Sequence, residues 1–390
     1  MMTEIARLTG NLIFQSSECS FDDTSSAAPA AILQPNGDYL LRIDAPEART
    51  VEILPWLGDP SPEGYAPWRD QWIHAEKNAE GVFEARLPRA EWKTGCRNIE
   101  IYIDGTFVLW PYLPVVWSGG FLHNCLEIAD PDMVFSYIRE DIPHGAVSYE
   151  YYFSGETRHL ERCLVYTPPG YMNGRERYPV LYLQHGGGEN ETGWFSSGKI
   201  NWILDNLIAE EKCVPFIVVM NNGMIRYPEN RGTGVMDDCF ENSLTGYCIP
   251  HIDSHYRTLP DKWHRAIAGL SMGSMQTNDI GFNHPELFGS MGSFTSTMYH
   301  DSFRTTYERP WPKVMANPEK FMKDYKVFFC SATPQEDHLP LFLTDQRIMR
   351  EAGIEGKMPG YRRVIHPPRM TRWNSWRMGL MEFATMLFRD

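Results

Sequence analysis

What the chain lacks narrows its class before any motif is read. Eight cysteines stand in 390 residues and none are spaced as C-x-x-C; Cys239 and Cys248, nine apart, come nearest. That excludes a zinc ribbon and a dense disulfide scaffold, and reads as buried thiols in a reducing compartment. Basic residues are in deficit: 36 Lys and Arg against 50 Asp and Glu leave a net charge of −14. Nucleic acid and anionic membranes need clustered cations, so neither is an expected partner. No apolar run approaches the roughly eighteen residues of a membrane span. Residues 1–20 hold one Arg and a short, broken apolar stretch instead of a secretory signal, so the expected location is cytoplasmic. Internal repeats and low-complexity tracts are missing too. Neither G-x-x-x-x-G-K-[ST] nor G-x-G-x-x-G occurs, so a phosphate cradle has no support, and no cofactor or metal is expected.

What is present is enough for a large core. The chain is 43% apolar and 13% aromatic, and its length exceeds one ordinary domain. Residues 1–150 read as an all-β sandwich. Asp38–Ile43, Thr50–Leu54 and Asn98–Ile103 alternate or carry β-branched residues, and Asp104-Gly105 marks a two-residue hairpin before Thr106–Trp110. Helical periodicity begins only near residue 195. From Val180 the texture changes to solid apolar strands, PVLYLQHGGG and PFIVVM, alternating with helices such as Asn201–Lys212. Further strands fall at Arg265–Gly269, Tyr325–Cys330 and Tyr361–His366, and a last helix runs from about Trp373 to Phe388. Continuous apolar strands between amphipathic helices predict a mostly parallel sheet covered on both faces, an α/β unit over 151–390.

Two motifs carry chemistry. Gly269-Leu270-Ser271-Met272-Gly273 follows the apolar strand RAIAG and precedes a helix-compatible run. This is the strand–turn–helix setting of a nucleophile elbow, in which flanking glycines permit a strained, exposed serine. The plain alternative is a Gly-rich turn with an idle serine. The second motif, Gln184-His185-Gly186-Gly187-Gly188, ends strand PVLYL. Glycines there let backbone N–H groups of Gly187 and Gly188 face a developing oxyanion, with the Met272 N–H as second donor. His185 reads as holding that loop or lining the pocket. Trp194 and Asn222, after the strands, are pocket-lining candidates, with core packing the equal alternative for Trp194. Trp68, Trp72, Trp110 and Trp117 in or near the first domain are aromatic enough to stack on sugars, though core packing explains most such residues.

With these motifs on the page, the chain from about Arg158 to Phe388 resembles the esterase family of α/β-hydrolases that holds feruloyl, acetyl-xylan and enterochelin-type esterases. VYTPPGY, YPVLYLQHGGGENETGW, IPHIDSHYRT, AIAGLSMGSMQT, NHPELFG and WRMGLMEFATMLF carry the likeness. The segment before it, with YIDGTFVLWPYLP and IPHGAVSYEYY, is similar to the immunoglobulin-like, carbohydrate-module-like domain that precedes such units. The resemblance implies Ser271 as nucleophile. It implies an acid member in the turn after KVFFC, which is Asp337, with Glu336 second.

The base is where the sequence departs from the family. The resemblance implies a His five residues before Trp376-Arg377, and that position is Thr371, which cannot accept a proton near neutral pH. His366 is the leading substitute, His338 a third candidate, and a lapsed site the competing explanation. Ser274, where the family often has Gly, is a smaller departure. The implied activity is serine ester hydrolysis on a small-molecule ester, feruloyl or acetyl, of a plant-derived oligosaccharide. A lapsed hydrolase that only binds such ligands, and a siderophore esterase, are the alternatives; the acidic chain disfavours a polyanionic siderophore. Homo-oligomers stay open.

Overall fold

Alternation builds the amino-terminal unit. Strand Tyr39–Asp44 buries Tyr39, Leu41 and Ile43 and turns the intervening residues outward. In the computed structural model, which describes residues 31–55, 72–88, 94–231, 238–294, 316–334, 339–367 and 372–389, this unit holds two sheets. One runs in the order Ala31–Leu33, Tyr39–Asp44, Val82–Leu87, Glu76–Lys77. The other runs Ile73–His74, Val51–Pro55, Gly95–Ile103, Phe121–Ile128, Val115–Ser118, with Thr106–Val108 paired to Gly95–Ile103. A single apolar cluster draws Leu41 and Ile43 from the first sheet and Ile53, Ile99, Ile101 and Leu126 from the second. The Asp104-Gly105 turn forms as its sequence demands, both residues taking positive φ of 49° and 77°.

The second unit is built on eight strands: β1 (Ala146–Ser154), β2 (His159–Thr167), β3 (Val180–Gln184), β4 (Ile217–Asn221), β5 (Arg265–Leu270), β6 (Ser290–Phe294), β7 (Val327–Ala332) and β8 (Tyr361–Ile365). Their spatial order is β1-β2-β4-β3-β5-β6-β7-β8. β2 pairs antiparallel with β1 and β4, and every pairing from β4 to β8 is parallel. Strands β3 to β7 are buried along their whole length, which is why β3, β4, β5 and β7 read as largely apolar runs, while β6 buries the small residues of SMGSF. Helices α1 (Ile200–Ala209), α2 (Ile249–His255), α3 (Met272–Asn283), α4 (Pro318–Asp324), α5 (Leu339–Glu351) and α6 (Arg372–Met386) accompany the sheet. Among the described residues no helix is long and apolar enough to cross a membrane.

The chain divides into residues 1–140 with 369–374 and residues 141–368 with 375–390. That first break falls ten residues before the boundary read from the sequence. The difference is β1: the resemblance grouped IPHGAVSYEYY with the first domain, yet the nine residues of β1 pair with β2 and form the edge of the larger sheet. Helices α4 and α5 were not expected from the sequence. α4 starts at an Asn317 cap whose Oδ1 accepts the Lys320 N–H, with Pro318 at its first position. The topology brings the carboxyl ends of β3, β4 and β5, at Gln184, Asn221 and Leu270, to one edge of the sheet, where open α/β sheets hold ligands.

Candidate active site

Ser271 sits between β5 and α3 with φ 49° and ψ −119°, a conformation that costs an L-residue free energy and persists only when its surroundings impose it. The flanking glycines supply the imposition. A Cβ on Gly269 would lie 2.4 Å from the Gly273 carbonyl oxygen; one on Gly273 would lie 2.6 Å from the His185 oxygen and 2.7 Å from the Gln184 oxygen. α3 therefore presses its first turn against the end of β3. The Ser274 Oγ lies 2.8 Å from the Gly269 oxygen and 2.9 Å from the Phe294 oxygen, and Ser271 N–H donates to that same Phe294 oxygen. Ser274 thus fastens the turn to β6, which accounts for a hydroxyl where glycine is common. No side chain among the described residues hydrogen-bonds the Ser271 hydroxyl. Met272 N–H, at the start of α3, is likewise unused there, as the first N–H groups of a helix are.

The loop after β3 passes beside this serine: a Cβ on Gly186 would stand 3.5 Å from Ser271 Cβ. Its two other glycines differ. Gly187 is exposed, a Cβ there would meet nothing within 4 Å, and its N–H makes no bond among the described residues. Gly188 N–H is taken by the Met224 Sδ at 3.4 Å, so only Gly187 keeps a donor free. His185 is 1% exposed and cannot line a pocket as the sequence suggested. Its Nδ1–H donates to the Gly186 oxygen at 2.7 Å and its Nε2 accepts the Gly223 N–H at 2.9 Å, stapling the β3 loop to the β4 loop. Gln276 completes the staple, donating to the Gly223 oxygen at 2.7 Å. Trp194 is also in the core: its ring meets Phe294 edge-on and its Nε1–H donates to the Gln184 oxygen at 2.8 Å. Asn222 stays half-buried at the sheet edge, with its Oδ1 accepting the Met224 N–H.

That staple is pH-sensitive. Burial pushes the His185 imidazole down from 6.5 to about 4, so it is neutral when folded. A depressed folded pKa means that the unfolded chain takes up the proton first. Stability is full above the ordinary value and is lost as pH falls from 6.5 toward about 4. Urea unfolding is expected to lose up to about 3 kcal/mol over that range relative to His185→Gln, which does not titrate.

The acid and base candidates fare differently. Glu336, Asp337, His338 and Thr371 lie outside the described residues. His366 is described, and it is not turned to the serine. Its Nδ1 lies 3.1 Å from Ser375 Oγ and its Nε2 3.6 Å from Glu382 Oε1, both on α6. Its backbone N–H continues the ladder to Ala332. The ring is 2% exposed and joins the end of β8 to α6, so neither nitrogen bonds Ser271. The reason is local: β8 keeps extended pairing as far as Ile365, and residue 366 then faces inward.

Sequence reading missed Gln276, Met224 and Glu189. The last, in the loop after β3, accepts the Gly186 N–H through Oε2 at 3.1 Å, and burial pushes its carboxyl up to about 7. Only its place inside the Gly-rich loop could have drawn attention to it.

Residues 154–346 match the family model described as "Putative esterase". The chain is 43% identical over 263 residues to the endo-1,4-beta-xylanase/feruloyl esterase of Xylanibacter ruminicola, an alignment covering 66% of this chain and 35% of that protein. It is 33% identical over 124 residues to endo-1,4-beta-xylanase Y of Acetivibrio thermocellus, covering 29% of this chain and 11% of that one. The chain thus spans about a third or less of the curated relatives it matches. Among solved structures, the enterobactin esterase of Shigella flexneri superposes with a TM-score of 0.60 over 93% of this chain and 98% of its own, at 13% identity. A ferulic acid esterase superposes at 0.53 over 62% of this chain and 97% of its own, at 21% identity. At those identities the structural likeness is one of fold, and the fold is the α/β-hydrolase. With an all-β unit ahead of the hydrolase sheet, this chain belongs to the esterase family of α/β-hydrolases.

Proposed function

We propose that the protein is a serine carboxylic-ester hydrolase acting on feruloyl or acetyl esters of plant-derived oligosaccharides. The observation that carries the reading is the strained Ser271, enforced by Gly269 and Gly273 and flanked by the unused N–H groups of Met272 and Gly187. Ser271 Oγ attacks the ester carbonyl carbon as its proton leaves to a base. The carbonyl oxygen takes up negative charge between the two N–H donors. The alcohol departs as the C–O bond breaks, and water then cleaves the acyl-enzyme. Asp337, which follows β7 in the sequence, is the proposed acid member. The feruloyl choice is supported by the Xylanibacter relative, whose name includes feruloyl esterase, and by the net charge of −14, which disfavours a polyanionic catecholate ester.

One observation favours a second reading, a binding protein on a hydrolase scaffold. His366 makes no hydrogen bond to Ser271: its Nδ1 is engaged with Ser375 and its Nε2 lies 3.6 Å from Glu382. Rapid-mixing kinetics separate the two. The esterase reading expects a stoichiometric burst on p-nitrophenyl acetate and steady turnover of methyl ferulate. Binding of methyl ferulate with no burst and no turnover establishes the second reading instead.

A further inference from the structure

Behind the glycine loop lies a carboxyl group that the proposed reaction leaves unused. Glu189 Oε2 accepts the Gly186 N–H at 3.1 Å, and Glu189 N–H returns a bond to the Gly186 oxygen at 3.2 Å. Gly193 makes room for it, and Gly186 lies at ordinary contact with it. A Cβ on Gly193 would lie 3.2 Å from Oε2, and one on Gly186 would lie 3.7 Å from it. The same Gly186 Cβ would stand 3.5 Å from Ser271 Cβ, so Gly186 lies beside both the carboxyl and the serine.

No cation among the described residues forms a salt bridge with this carboxyl. From the end of β3, His185 faces the loop as a neutral ring. Glu191, two residues on, is consumed by Arg162 of β2. β5 contributes Leu270 and then Ser271, the turn Gly193–Ser196 contributes Gly193, and the loop after β4 contributes Met224, all uncharged. Glu189 is half-buried, and a carboxyl drawn out of water without a counter-charge costs stability where a neutral amide of the same shape costs less. Groups kept at such a cost belong to sites that need them.

We propose that Glu189 is a positioning residue: by holding Gly186 N–H it sets the loop so that Gly187 N–H faces the carbonyl attacked by Ser271. The inference rests on the ester-hydrolase reading. Its ground is the hydrogen bond together with the enclosure of the carboxyl by Gly186 and Gly193. The pKa, pushed up to about 7, supplies an independent readout. A carboxyl whose folded pKa lies above 4.5 stabilises the fold when protonated, and that contribution is lost as pH rises through about 7.

The experiment compares wild type, Glu189→Ala, Glu189→Asp and Glu189→Gln on p-nitrophenyl acetate, with melting curves at acid and alkaline pH. Glu189→Ala is expected to lower kcat about tenfold with KM within about twofold, the split expected when donors are misplaced but binding is not. Glu189→Asp, too short to reach Gly186, gives the same loss if the alanine variant fails to fold. Glu189→Gln keeps the acceptor and restores kcat to within about threefold of wild type. It also melts higher than wild type at alkaline pH, with the gain shrinking in acid. A merely supporting side chain would lose stability on replacement and would not move kcat alone. A kcat for both Ala and Asp variants near wild type, or a Gln variant as slow as they are, overturns the inference while the esterase reading stands. A wild type without esterase activity overturns both.

Discussion

Ser271→Ala is expected to lose the p-nitrophenol burst and about a thousandfold or more in kcat, while unfolding at the same urea concentration as wild type. The two halves have separate causes. The hydroxyl supplies the only bond-forming atom of the proposed first step, so its removal leaves only the donors of Met272 and Gly187 to act on bound ester. Stability is indifferent because the hydroxyl has no hydrogen-bond partner among the described residues, and alanine at φ 49° inherits the strain of serine. Ser271→Gly sharpens the test. Glycine adopts positive φ without a Cβ clash, so this variant should be inactive and about 1 kcal/mol more stable than wild type. Stability gained where activity is lost would mark the strain as a property of the site. If Ser271→Ala keeps its burst, the acyl group is carried elsewhere and the esterase reading fails at this residue.

How far the sequence spoke depends on the range of each interaction. Strands β3, β4, β5 and β7 are buried on both faces, so largely apolar runs disclosed them closely; β6 is as buried, but its sequence SMGSF carries two serines and a glycine and was not read as a strand. The elbow was legible because its determinants, two glycines and a serine, lie within five residues. The reasons for those glycines were not. Gly273 is required by the carbonyl oxygens of Gln184 and His185, on another strand. His185 was ambiguous for the same cause: its second partner, the Gly223 N–H, lies 38 residues away. Trp194 had even odds of lining a pocket or the core, and only its bond to the Gln184 oxygen places it in the core. His366 was left open because counting along the chain from α6 does not say which way β8 delivers its last side chain. The ring meets Ser375 and Glu382, on a helix whose contacts no spacing rule supplies. β1 was grouped with the first domain by resemblance, because nothing within IPHGAVSYEYY discloses that its partner is β2 of the larger sheet.

Gly273→Ala should damage both the fold and the activity of the hydrolase unit. The added Cβ would stand 2.6 Å from the His185 oxygen, 2.7 Å from the Gln184 oxygen and 2.8 Å from the Gln184 Cβ. Two of these are backbone atoms at the carboxyl end of β3, where Gln184 is in register with Gly269 of β5 and Asn221 of β4. They cannot retreat without breaking that pairing, so α3 must move away from the sheet. The expected cost is about 3 kcal/mol, the upper part of the range for overpacking, read as a lower urea midpoint with unchanged slope. Activity should fall further than stability explains, because the first turn of α3 carries Met272 N–H and any lift displaces it from the oxyanion position. Gly187→Ala is the control for the fold. A Cβ there meets nothing within 4 Å, so its urea midpoint should stay within about 0.5 kcal/mol of wild type. Equal midpoints for Gly273→Ala and Gly187→Ala would show that the approach of α3 to β3 is looser than these distances require. The strain on Ser271 would then need another source.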